Sequence, residues 1–491
     1  MTLRKQAFSG IRWTTLATTI TTATQLLQLI VLARLLPPEA FGLMAMVTIV
    51  VGFTQAYTDA GISSAIVYRR DITSEQLSSL YWLNILAGVV VFAALWLLTP
   101  LIAGLFNESQ LIPLLHAISV VFLILPLGKQ YEVLLQKEMK FNLLARQEIV
   151  AAVFSAALAI SCAFAGLGVW SLMAGQIALV AIRTIMLLWM GLKIHRPSAH
   201  FHLADLQGYW QFGVYQIGER SINFLAQRMD QLIIGSLLGV QVLGYYSFAF
   251  NLVSQPQSRI NPIVTKVAFP AFARVQDDLP RLQRGYLDVL KMLTAINAPL
   301  LIGIAVLAPM FMPLVFGDQW LPSVVLVQLA AITSLMRSTG NPVGSLLLAK
   351  GRADLSFKWN MGLLLVTLPA IYASALWGNA VTVATVWVLL QTILLLPNYA
   401  WLVRPMIGSC GKAYVKAVAE PMLLALMMGA AMWLGRVFLP TSWISLLILI
   451  VTGGAVYFLV SLLAQKTILV ELGDMVLGRR NPIRMGKTVD R

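Results

Sequence analysis

The chain is punctuated by apolar runs of about twenty residues, the length an α-helix needs to cross a hydrocarbon core. Fourteen such runs lie at 11–36, 41–67, 81–105, 111–130, 149–167, 169–192, 209–239, 243–269, 287–315, 324–348, 360–377, 381–403, 414–437 and 443–463. The connections between them are mostly short and polar. With 59% hydrophobic and 11% charged residues in a chain of 491, an ordinary soluble domain is excluded. The expected fold is an all-α polytopic membrane protein with fourteen transmembrane helices. The basic N-terminus, MTLRKQAFSGIRW, enters the first run without a small-residue cleavage site, so that run is read as a retained helix and not a signal peptide.

Basic residues alternate with the runs. They gather at Arg4 and Lys5, at Arg69 and Arg70, at Lys129, Lys137, Lys140 and Arg146, and at Lys193 and Arg196. The same holds at 274–291, 350–358 and 404–416 and in the tail, whereas the connections around Pro37, Asn107, Gly166, Gly239, Gly317 and Asn379 carry almost none. Arg436 alone breaks the pattern. The positive-inside rule then places both termini in the cytoplasm and demands an even number of spans. This distribution also explains the formal net charge of +15 without a nucleic acid partner.

The two halves repeat. At an offset of 202 residues Gln25 falls on Gln227, Leu35 and Leu36 on Leu237 and Leu238, and Gly42 on Gly244. Six runs separate the copies, so both enter from the same side, as in a parallel repeat about an axis along the membrane normal. Two pseudo-symmetric six-helix lobes around a central cavity are expected, at 1–195 and 208–405. A further helix pair at 412–466 and a basic cytoplasmic tail at 467–491 complete the chain.

The run at 209–239 carries charge where charge is costly. At 100° per residue Gln216, Glu219, Asn223, Gln227 and Asp230 fall within roughly 80° of arc, with Arg220 beside the stripe and Arg228 about opposite Glu219. Thr14, Thr18, Thr21, Thr22, Gln25 and Gln28 make an equivalent stripe on the first run. Polar stripes at membrane depth line water-filled paths or form structural ion-pair networks. Cations outnumber acids inside the runs: Arg183, Arg220, Arg228, Arg259, Lys266 and Arg337, with Arg34 near the outer end of the first, against Asp59, Glu148, Glu219, Asp230 and Glu420. An excess of buried cations asks for a hydrated cavity or an anionic ligand, and arginine grips phosphate or carboxylate in a bidentate fork.

Other features are weighed less heavily. Tyr209, Trp210, Tyr215, Tyr245 and Tyr246 read as interfacial anchors more than as sugar-stacking platforms. Pro256, Pro262, Pro270, Pro299, Pro309 and Pro313 predict bends. His195, His200 and His202 read as solvated loop residues, and Cys162 and Cys410 as neither a disulfide nor a metal site. There is no P-loop, HExxH, GxSxG or dinucleotide motif in context, so no cofactor and no catalytic residue is expected. The short outer connections favour a transporter over a membrane glycosyltransferase.

LARLLPPEAFGLMAMV (Leu32–Val47), DAGISSAIV (Asp59–Val67), LLQKEMKF (Leu134–Phe141) and RMDQLIIGSLLGVQVLGYYSFAFNL (Arg228–Leu252) resemble the polysaccharide-transporter branch of the multidrug/oligosaccharidyl-lipid/polysaccharide exporter superfamily. The similarity runs along essentially the whole chain and points to the colanic-acid exporter group of oligosaccharide-lipid flippases. It implies alternating access by two six-helix lobes and two extra C-terminal helices in the bacterial inner membrane. The implied substrate is an undecaprenyl-pyrophosphate-linked, acidic oligosaccharide, and polysaccharide polymerase and export machinery are implied partners. Under that reading Arg220, Arg228, Arg259, Lys266, Arg337, Arg34 and Arg183 hold the anionic headgroup. Asp59, Glu219 and Asp230 pair with them or bind a coupling cation. A cation-coupled multidrug exporter of the same superfamily is the alternative.

Overall fold

The computed structural model describes residues 3–58, 72–206 and 210–464, with the side chains of 210–220, 222, 223 and 266 among those outside the described set. Among the described residues every regular element is helical. The first compact unit, 1–244, holds α1 (Leu3–Leu35), α2 (Pro38–Thr58), α3 (Ser74–Phe106), α4 (Leu111–Ser119) and α5 (Val121–Lys137). It continues through α6 (Phe141–Phe164), α7 (Val169–Gly191) and α8 (Trp210–Leu237). Helix α9 (Val240–Arg274) leads into the second unit, 245–491, which contains α10 (Leu279–Phe311), α11 (Ser323–Ala349), α12 (Ala353–Leu376) and α13 (Ala380–Pro397). The short α14 (Arg404–Ile407), then α15 (Gly411–Phe438) and α16 (Trp443–Ala464) follow.

Local chemistry sets the helix ends. Thr73 and Gln76 close a capping box on α3, and Asn107 ends that helix in the left-handed conformation at φ 51°. Asn379 caps α13 in the same reciprocal way with Thr382, and Asp278 caps α10 by accepting the Arg281 N–H. Helices α10 and α13 each run on into a π-helical turn, at Met312–Phe316 and Asn398–Val403. Several helices outrun their apolar stretch. Helix α10 begins at Leu279, not near 287, because backbone hydrogen bonding continues into water where the hydrophobic signal stops.

Twelve stretches among the described residues are long and apolar enough to cross a membrane. The chain is a multi-pass membrane protein. Helices α8 and α9, with 28 and 35 residues, have the length but not the apolarity, owing to the polar residues that mark them in the sequence. The sequence expectation of fourteen spans therefore divides into twelve apolar helices and two long polar ones.

Two positions matched at the 202-residue offset, Gly42 and Gly244, lie at close backbone contacts inside the first unit. A side chain on Gly42 would overlap the Val240 carbonyl, and one on Gly244 would overlap the Pro38 carbonyl. Position 42 plus the repeat offset is 244, and 38 plus the same offset is 240, so one contact is the image of the other. Such reciprocity is what a local two-fold relation requires. Only glycine permits backbone to approach backbone this closely.

The connection 192–206 is strapped to the start of α3. Ser79, fully buried, donates its hydroxyl to Asp205 at 2.6 Å and accepts the His202 N–H at 3.2 Å. Ser78 accepts the Ser198 N–H at 3.1 Å, and Trp82 Nε1 donates to the Ser198 carbonyl at 2.9 Å. His200 Nε2 lies 3.0 Å from Asp205 Oδ2. The histidines are thus not simply solvated: His200 belongs to the strap, and burial lowers the pKa of His195. The Ser79 hydroxyl foremost, with His200, holds the Asp205 carboxyl below its usual range.

Two outcomes follow for stability. Gly42→Ala and Gly244→Ala should lower thermal stability in detergent by similar amounts, each on the order of 1–3 kcal/mol as for an overpacked site, and a cost at only one of them would break the reciprocity. A depressed carboxyl stabilises above its unfolded pKa and loses that contribution as pH falls through its folded value. Hydrogen-exchange protection of 192–206 should therefore weaken below about pH 4, and Asp205→Asn should remove that pH step.

Candidate functional site

Charges inside the first unit are arranged on α5, α6, α7 and α8. Arg183 of α7 reaches Glu132 of α5 at 2.9 Å and lies 3.9 Å from Glu148 of α6, while Lys129 pairs with Glu132 at 3.1 Å. Glu132, the most shielded of these carboxylates at 14% exposure, thus carries two cations. Sequence reading singled out Arg183 and Glu148 but not Glu132. Its signal was present as Lys129-x-x-Glu132 on one helix face, next to a stretch the sequence assigns to a cytoplasmic segment. The arrangement ties Arg183 to structural partners and fixes three helices at one level.

On α8, Asp230 is 6% exposed and its carboxylate accepts the Gln231 N–H at 2.8 Å. Arg228, half-buried, donates to the Gln231 side chain at 3.1 Å. Gln227 is exposed, so the polar stripe leads from an exposed residue to a buried one within a single turn. Glu219 and Arg220 have side chains outside the described set, and Asp59 lies outside the described residues altogether. Arg34 is exposed in the last turn of α1. Gln28 of the α1 stripe packs at the crossing of α6 and α7, where its amide would lie 3.4 Å from a side chain on Gly175.

In the second unit the polar positions fall on α9, α10, α11 and α13. Asn297 of α10, fully buried, donates to Asn261 of α9 at 2.9 Å and to its own helix at the Leu293 carbonyl. Gln257, one turn before Asn261, donates to the Ser334 carbonyl of α11 at 3.0 Å. One turn beyond Ser334, Arg337 is exposed and its guanidinium stands 6.0 Å over the ring of Trp387 on α13. That is within cation–π range of the best aromatic for it. Arg337 is about 21 Å along a 27-residue helix, near its middle. Arg259 is exposed on α9, and the Lys266 side chain lies outside the described set. Gln257, Asn261, Asn297 and Trp387 went unrecognised from sequence. An uncharged amide or an indole inside an apolar run is a weak signal until its tertiary partner is visible.

Of the aromatic candidates, Tyr245 and Tyr246 are packing residues, whereas Tyr209 and the side chains of Trp210 and Tyr215 lie outside the described set. Tyr246 is fully buried and stacks on Phe250 at 4.2 Å, and Tyr245 meets buried Trp320 edge-on at 6.1 Å. Among the described residues no group of histidine, cysteine and acidic side chains has the arrangement of a metal site.

A model of the polysaccharide biosynthesis protein family matches residues 31–325. The chain belongs to that family. It is 35% identical over 431 residues to the lipopolysaccharide biosynthesis protein WzxC of Escherichia coli (strain K12), with 87% of each chain covered. It is 34% identical over 427 residues to the teichuronic acid biosynthesis protein TuaB of Bacillus subtilis (strain 168), covering 87% of this chain and 88% of the relative. Among solved structures, the lipid II flippase MurJ in an inward closed conformation superposes with a TM-score of 0.73. That likeness covers 93% of this chain and all of the other at 14% identity, so it speaks for the fold alone. The family places the chain among the transport proteins of polysaccharide biosynthesis and not among its enzymes.

Proposed function

We propose that this protein flips an undecaprenyl-pyrophosphate-linked, acidic oligosaccharide repeat unit, of colanic acid or a similar exopolysaccharide, across the bacterial inner membrane by alternating access. Family membership supports the class of cargo, and the relative named for teichuronic acid supports an acidic polymer. The observation that carries the charge of the cargo is Arg337. An exposed guanidinium halfway along a membrane-crossing helix is tolerated beside water or an anion, and Trp387 already offers it an aromatic face.

In this reading α8 and α9 join the twelve apolar helices as the seventh and eighth of fourteen spans. The chain works as two six-helix lobes with an added pair and both termini in the cytoplasm. Arg228, Arg259 and Arg337, with Arg34, Arg220 and Lys266, meet the pyrophosphate and acidic sugars. Asp230, with Glu219 and Asp59, balances those cations in the unloaded state or binds a coupling cation. Arg183 is assigned mainly to its pair with Glu132. A polymerase and export machinery would take the repeat unit from the outer leaflet.

The test is the sidedness of lipid-linked repeat units in an exopolysaccharide-producing bacterium depleted of the protein. Build-up on the cytoplasmic leaflet is expected, cured by the native chain but not by Arg228→Gln/Arg337→Gln inserted at normal levels. Arg183→Gln should lower stability more than transport. Unchanged sidedness on depletion would overturn the proposal in favour of a multidrug exporter, and full rescue by the double variant would remove the assigned roles of Arg228 and Arg337.

A further inference from the structure

Helix α10 contains two prolines beyond its first turn, and each releases a backbone carbonyl four residues earlier because proline has no N–H to offer it. Pro299 releases the Ala295 carbonyl and Pro309 releases that of Ala305. Both are recaptured by side chains of other helices. Tyr457 of α16 donates its hydroxyl to Ala295 O at 2.7 Å, and Gln328 of α11 donates its amide to Ala305 O at 3.1 Å. Arg436 of α15 donates to the neighbouring Val306 carbonyl at 3.1 Å. Arg436 is the residue that breaks the charge alternation of the sequence, and this bond gives it a reason to be there.

The surroundings suit a bond that forms and breaks more than a rigid weld. Helix α15 lies close on α10 at Gly429, where a side chain would press on Ile302. The seam beside it is built from Leu307, Met310, Met428, Met432, Leu446 and Leu449. Methionine is unbranched and fills a changing gap at low cost. In hydrocarbon a released carbonyl without a donor is costly, so the carbonyls of Ala295 and Ala305 are satisfied in α10 only while these donors are in reach.

We propose that Tyr457, Gln328 and Arg436 are positioning residues for transport. They latch the proline bends of α10, so the C-terminal pair α15–α16 sets which bend α10 adopts during the cycle. This rests on the alternating-access reading given above. The latch acts through α10 and requires no contact with the cargo.

Pro299→Ala restores an N–H to Ala295 O and makes the tyrosine hydroxyl redundant, which allows a double-mutant cycle. Thermal unfolding of the purified chain and flipping of a fluorescent undecaprenyl-pyrophosphate oligosaccharide in proteoliposomes are measured for native, Tyr457→Phe, Pro299→Ala and double variants. Tyr457→Phe should change the flipping rate by about two- to tenfold, the range one hydrogen bond supports, and should have no effect once residue 299 is alanine. Gln328→Leu with Pro309→Ala is an independent second cycle, so misfolding of one variant leaves the other decisive. Equal effects of Tyr457→Phe in both backgrounds would overturn the latch. Coupled stability with unchanged flipping would reduce it to a structural brace and overturn the positioning role. If the native chain moves no probe, the transport reading fails, while the stability cycle still reports on the latch itself.

Discussion

Where there is no water, each backbone carbonyl and each charge must find its partner inside the protein. The structure answers that constraint in three ways. Glycines bring helix backbones together at Gly42 and Gly244, ion pairs neutralise Arg183, and side chains of neighbouring helices occupy the carbonyls that prolines set free. The long apolar faces exclude water and fill the bilayer, but they say little about which helix meets which. Specific pairing comes from the few polar or small residues at the crossings.

The helices were legible in the sequence because a span needs about twenty apolar residues whatever its neighbours are. Their ends were less so. Helix α10 extends eight residues before its apolar run, since Asp278 and Pro280 start a helix without needing lipid. The 202-residue repeat was visible as matched residues, but not that Gly42 and Gly244 carry reciprocal contacts, because close approach is a property of two segments at once. Tyr246 looked like an interfacial anchor and is core, as position near a span end does not reveal what packs over it.

The candidate site divides along the same line. Arg228, Arg337 and Asp230 declared themselves as charge in runs long enough to cross a membrane. Glu132 did not, because the pair that makes it notable joins α5 to α7 across fifty-one positions of chain. Gln257, Asn261 and Asn297 link α9, α10 and α11 through amides that composition alone treats as noise. Membership of the polysaccharide biosynthesis family supplies the class of activity, and the placement of Arg337 over Trp387 is the observation on which the proposed preference for an acidic cargo rests.

Purified protein in proteoliposomes, offered matched acidic and neutral undecaprenyl-pyrophosphate oligosaccharides in one leaflet, tests the central claim most directly. The account requires protein-dependent transfer of both to the other leaflet, with the acidic repeat unit faster and its advantage shrinking as salt screens the cationic site. Transfer of neither, or equal rates for both at every salt concentration, would contradict it.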